Sequence, residues 1–133
     1  MAKYPYYIPA TNVYKPWIKV SLNYRKTHKI TPAGIVALVD SGADVCFCAK
    51  YIGEWLGIKF KKKPMSTFTA ANSSQFKAFE ETITLIACNE IFACRFFFAD
   101  NLPKETPIIL GQLGFFEKFK ITFDLENKEI EII

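Results

Sequence analysis

A continuous apolar run, Gly34-Ile35-Val36-Ala37-Leu38-Val39, stops at Asp40-Ser41-Gly42-Ala43-Asp44. A run of this kind reads as a strand buried on both faces. An acid at the mouth of a buried strand is costly unless hydrogen bonds meet it. Ser41 and the amides of a tight turn at Gly42 can supply those bonds. The strand therefore belongs inside a sheet, with its end open to solvent or to a cleft. An ordinary Asp-Ser-Gly turn would carry the same residues, so the choice of fold rests on what surrounds it.

The surroundings read mostly as strands. Trp17-Ile18-Lys19-Val20-Ser21-Leu22-Asn23-Tyr24 alternates apolar and polar positions, the period of a half-buried strand. Residues 25–30 are polar and turn-like, and they place His28, the chain's one histidine, in an exposed turn. Residues 49–56 put Tyr51, Ile52, Trp55 and Leu56 on one helical face, with Gly57 as the stop. Residues 65–71 and 75–79 flank Asn72-Ser73-Ser74, and residues 82–88 and 91–98 flank Asn89-Glu90. Ile108-Ile109-Leu110 is a short run closed by Gly111, and residues 119–124 and 128–133 flank Leu125-Glu126-Asn127. Residues 1–16, rich in Tyr and Pro, read as an irregular arm. The pattern predicts a mainly β chain with one or two short helices.

At 133 residues the chain has the size of one domain, taken to span 1–133. It is too short for a TIM barrel, a full dinucleotide-binding fold or a two-lobed enzyme. An active site lying between two halves would need its second half from another molecule. The net charge of +4 is mild. The dense basic run Lys59-Phe60-Lys61-Lys62-Lys63 reads as a solvated loop, and no nucleic-acid motif accompanies it. The spacings of Cys46, Cys48, Cys88 and Cys94 match no usual zinc pattern. No metal or other cofactor is expected. No signal peptide is read at the N-terminus, and no run reaches the ~18–20 apolar residues of a membrane span. The expectation is a cytoplasmic protein, without nucleic-acid or membrane partners, with reduced and mostly buried thiols.

A second element lies downstream: Pro107-Ile108-Ile109-Leu110-Gly111-Gln112-Leu113-Gly114-Phe115-Phe116, followed by Phe119-Lys120-Ile121-Thr122-Phe123-Asp124. The ordered pair resembles the retropepsin-like aspartic proteases, and within them the small stand-alone bacterial members. That family has an apolar strand, Asp-Thr/Ser-Gly-Ala, a flap hairpin, and then apolar-apolar-Gly before a short helix. The resemblance covers residues 17–124. It implies a closed retropepsin-like acid protease barrel with a flap hairpin. By the same resemblance Asp40 is the catalytic aspartate, and Ser41 and Gly42 belong to the active-site loop. Ser41 braces the two loops, and Gly42 lets the substrate backbone approach. Ala43 and Asp44 line the substrate cleft. Ile109, Leu110 and Gly111 form the element crossing near that loop, and these too are assigned to substrate binding. Residues 67–79 take the flap position, with Thr69, Ala70, Ala71 and Asn72 facing the substrate.

The resemblance implies a chemistry that one aspartate cannot perform. Peptide hydrolysis by this route needs two carboxylates sharing one proton, one ionised to activate water and one protonated to polarise the carbonyl. The sequence holds one Asp-Ser/Thr-Gly: Asp100 is followed by Asn101 and Asp124 by Leu125. The expected partners are therefore a second copy of the chain, in a symmetric homodimer, and a peptide or protein substrate. Three features depart from retroviral members. The hairpin tip, Ala70-Ala71-Asn72-Ser73-Ser74, has no glycine, although Asn72 can adopt the left-handed conformation that a tight turn requires. Gln112 stands where they carry an arginine that pairs with the acid after the motif. The hairpin at 119–133 replaces short chain ends as the candidate dimer contact. A non-catalytic peptide-binding module, or a dimeric assembly module, on the same fold is the alternative reading.

Overall fold

The computed structural model describes residues 2–7, 14–32 and 34–133. Strand β2 (Trp17–Tyr24) runs antiparallel to β4 (Ile35–Val39), pairing Trp17 with Leu38 and Val20 with Ile35. The short β3 (Lys29–Ile30) folds back on the end of β2. After the loop at 40–45 come β5 (Cys46–Ala49) and helix α1 (Lys50–Trp55). A 3₁₀ turn (Phe60–Lys62) leads into the hairpin of β6 (Met65–Thr69) and β7 (Gln75–Ala87). Strands β8 (Glu90–Ala99) and β9 (Ile108–Leu110) follow. β4 pairs parallel with β9, β9 antiparallel with β5, β5 parallel with β8, and β8 antiparallel with β7. β7 returns to β2 through Ser21↔Ile86, Leu22↔Leu85 and Asn23↔Thr84. β2, β4, β9, β5, β8 and β7 thus close a six-strand ring, the closed, mainly β architecture that the family resemblance implies.

The ring is filled by alternate side chains. Leu22, Leu85, Phe96, Phe98, Ile108 and Leu110 are fully buried. Each large apolar side chain moved out of water contributes roughly 2–3 kcal/mol. The triplet Phe96-Phe97-Phe98 splits by strand periodicity. Phe96 and Phe98 point into the ring, whereas Phe97 joins Val45, Phe47, Phe68 and Phe76 on the other side. Phe98 packs against Phe60 with the rings tilted and their centroids 5.2 Å apart. α1 ends at Leu56-Gly57, with the Gly57 N–H donating to Glu54 O at 2.9 Å. Among the described residues no helix is long and apolar enough to cross a membrane.

Three expectations need correction. Residues 2–5 are not irregular: β1 (Ala2–Pro5) pairs antiparallel with β11 (Glu129–Ile132), which pairs with β10 (Ile121–Asp124). Burial draws the tyrosines in. Tyr6 is buried, and burial together with a hydrogen bond to Cys88 pushes the Tyr4 phenol up to about 12. Of the expected arm, residues 1 and 8–13 lie outside the described residues. Second, the strands expected at 75–79 and 82–88 are one strand, β7. The charged break at Glu80-Glu81 is neutralised by Arg95 and by Lys63, and the Tyr24 hydroxyl donates to Glu81 at 2.8 Å. Third, no regular helix follows Gly111. Residues 114–118 form successive turns, because Gly114 adopts φ +109° and Glu117 Oε1 accepts its N–H at 2.8 Å. Phe115 is nevertheless a buried core residue.

Candidate active site

The buried end of β4 delivers Asp40 beside the end of β9. The Asp40 N–H donates to Leu110 O at 2.9 Å, continuing the parallel pairing for one residue. The chain then turns, with the Ala43 N–H donating to Asp40 O at 3.2 Å. Asp40 is half-buried, and its Oδ1 accepts the Gly42 N–H at 2.9 Å. The loop therefore supplies the bond that an acid at this place requires.

The segment after β9 is clamped onto this loop. The Gln112 N–H donates to Ala43 O and the Leu113 N–H to Asp44 O, both at 2.9 Å. Gln112 Nε2 donates to Ser41 O at 2.7 Å. Gly111 has no room for a side chain: a Cβ would stand 2.2 Å from Val45 O and 2.6 Å from Ala43 O. The apolar-apolar-Gly pattern thus has a physical reason. Two apolar residues anchor β9 in the ring, and the glycine lets two backbones touch.

Above the loop lies a cleft of about 530 Å³. Asp40, Gly42, Ala43, Asp44 and Ile109 line one side, and Thr69, Ala70 and Ala71 of the β6–β7 hairpin line the other. Other residues assigned to the site sit elsewhere. Leu110 is buried in the ring and Gly111 is buried at the backbone crossing. Ser41 lines a second hollow, which also touches Asp40. Asn72 closes the hairpin tip by accepting the Ser74 N–H at 3.0 Å, but Ser73, at φ +68°, is the left-handed residue there. Phe47, Phe68 and Phe76 also line the cleft, which sequence reasoning overlooked. Their signal was present: Phe68 and Phe76 are cross-strand partners in the hairpin.

The histidine, the cysteines and the lysine run do not line the cleft. His28 is exposed in its turn, at φ +60°. Cys46 and Cys94 are buried behind the loop. A hydrogen bond from Cys94 holds the Cys46 thiol below the usual range, while that bond and burial push Cys94 up. Burial raises the Cys48 thiol. In the lysine run, Lys63 is tied to Glu81. A larger cavity of about 720 Å³, near Phe92, Arg95 and Lys118, contains neither Asp40 nor Asp44.

A retropepsin-like aspartic protease from Rickettsia conorii superposes with a TM-score of 0.67 at 18% identity, over 100% of this chain and 99% of that one. The fold is retropepsin-like. The retroviral protease-like domain of Ddi1 from Leishmania major superposes with a TM-score of 0.56 at 13% identity, over 92% of this chain and 96% of that one. No protein-family model matches the sequence, and no curated protein matches it. At these identities the likeness is one of fold. Within the retropepsin-like frame, the Asp40 loop and the hairpin over it face each other across the cleft.

Proposed function

We propose that this chain is an aspartic endopeptidase that acts as a homodimer. The observation that carries the reading is the position of Asp40. It is held by its own loop at the floor of a cleft, and it also lines a second hollow with exposed apolar side chains. That second hollow, about 350 Å³, is lined by Pro16, Leu38, Ser41, Phe123 and Leu125. Phe123 and Leu125 are 37% and 75% exposed. A second copy docked there covers these side chains and brings its own Asp40 to the twofold axis.

Two Asp40 carboxylates at hydrogen-bonding distance cannot both ionise, so they share one proton and titrate as a pair. The ionised carboxylate takes a proton from water as it attacks the peptide carbonyl. The protonated one donates a hydrogen bond to the carbonyl oxygen as charge builds there. The pair then returns the proton to the leaving amine. The loop contributes preorganisation, because its carbonyls are already bonded to residues 112 and 113. The hairpin acts as the flap. The substrate lies extended beneath it, pairing its backbone with the flap and placing apolar side chains against Phe47, Phe68 and Phe76.

Asp40→Asn keeps the shape of the side chain and removes the titratable group. Cleavage of peptides should fall by at least about a hundredfold, the scale of general acid–base catalysis, with thermal unfolding nearly unchanged. Unchanged cleavage by the folded variant would overturn the proposal. Saturable peptide binding without hydrolysis across about pH 3–7 would instead favour a binding module.

A further inference from the structure

The cleft has a charge that the rest of the molecule does not. The chain carries a net +4, yet the residues lining the cleft include two carboxylates, Asp40 and Asp44, and no lysine or arginine. Asp40 Oδ1 is bonded to the Gly42 N–H. The Asp44 side chain is exposed. The ion pairs among the described residues are Lys3–Glu129, Lys50–Asp100, Lys63–Glu81 and Arg95–Glu80, so none engages Asp44. Gln112 could have met it, since its backbone N–H bonds the neighbouring Ala43 O, but its side-chain amide is committed to Ser41 O at 2.7 Å. A free carboxylate is thus held at the edge of an apolar cleft, beside walls of Phe47 and Phe76. Low-dielectric walls focus its field.

We propose that Asp44 is a specificity-determining residue that selects a lysine or arginine side chain in the substrate. The inference rests on the peptidase reading above. Its position follows from the turn. The Ala43 N–H to Asp40 O bond closes a four-residue turn, which keeps the end Cα atoms within about 7 Å. One further residue adds up to about 4 Å. An extended peptide advances ~3.3 Å per residue, so Asp44 meets a side chain about two to three residues from the scissile bond. The aliphatic stem of that side chain packs on the aromatic wall while its head reaches the carboxylate.

The test uses the full chain and any parent peptide it cleaves. Lysine is scanned through the second and third positions on either side of the scissile bond, and each peptide is compared with its acetyl-lysine counterpart, which keeps the stem and loses the charge. At one of these positions the lysine peptide should show about a tenfold higher kcat/KM at low ionic strength. The ratio should shrink as salt is added. Asp44→Asn should bring it to about one. Gln112→Arg, which sets a cation beside Asp44, should do the same and serves if Asp44→Asn does not fold. Cleavage of both peptides at equal rates by the wild type, or a ratio that survives Asp44→Asn, would overturn the role of Asp44 and leave the peptidase reading standing. Failure of the wild type to cleave any peptide would remove both.

Discussion

The loop at 40–44 and the hairpin tip at 70–74 face each other across one cleft and are held in opposite ways. The loop is tied to a segment about 70 residues away in sequence, through the Leu110 carbonyl, the Gln112 and Leu113 amides and the Gln112 side chain. The tip is tied only to itself: the Ala70 N–H donates to Ser74 O at 2.8 Å and the Ser73 N–H to Ala70 O at 2.9 Å. A segment with only local, solvent-exposed bonds opens at low free-energy cost, whereas one bonded to the core opens only with the core. The molecule thus pairs a floor bonded to the core with a roof held by its own turn.

The sharpest way to break this contrast is Gly111→Ala. The new methyl group would press on the carbonyls of Ala43 and Val45, and the loop would have to move. Overpacking of this kind costs about 1–3 kcal/mol. Urea unfolding should show that loss, with cleavage falling in parallel. A Gly111→Ala variant of normal stability would mean that the floor is not clamped.

A smaller effect is expected at the root of the hairpin. Burial pushes the Glu81 carboxyl up, but hydrogen bonds from Lys63, Tyr24 and the Thr82 amide outweigh it and hold Glu81 below its ordinary value. A carboxylate lowered in the folded state contributes stability that is full above its unfolded pKa and is lost as pH falls through the folded value. Glu81→Gln should therefore cost about 1 kcal/mol at neutral pH. It should also flatten the acid limb of the stability profile, as read by thermal unfolding against pH. An unaltered acid limb would show that the hairpin root is anchored by other groups. The smallest effect belongs to the tip. Ser73→Gly removes the steric cost of φ +68° and should stabilise the protein by about 0.5 kcal/mol, measurable as a small rise in the urea midpoint. A loss of stability would place structural demands on the tip that its local bonds do not suggest.

The two regions also differ in how far they were legible in the sequence. The floor was readable because its constraints are local in type. An apolar run, an acid and a glycine give β4 and the turn, and Ile108-Ile109-Leu110-Gly111 gives β9 and its crossing. The parallel pairing of β4 with β9, which brings the two together, has no local signature. Gln112 was visible as a departure, but its bond to Ser41 O depends on that pairing. In the hairpin, the position was readable and the detail was not. Ser73 rather than Asn72 takes the left-handed conformation, because the Asn72 side chain is occupied in capping Ser74. The break expected between 79 and 82 vanished because Lys63 and Arg95 arrive from elsewhere in the chain. β1 was hidden for a related reason: Tyr4 and Pro5 carry no alternation of their own and become strand only by pairing with β11.

Mixing subunits tests the central claim most directly. Wild-type chain is held at constant concentration and co-refolded with increasing Asp40→Asn chain. Wild-type subunits then pass into mixed dimers that hold one Asp40 carboxylate instead of two. Peptide cleavage should fall toward zero as the variant is added. Cleavage that stays constant would show that a single chain's Asp40 suffices, and would contradict an active site completed by a second copy.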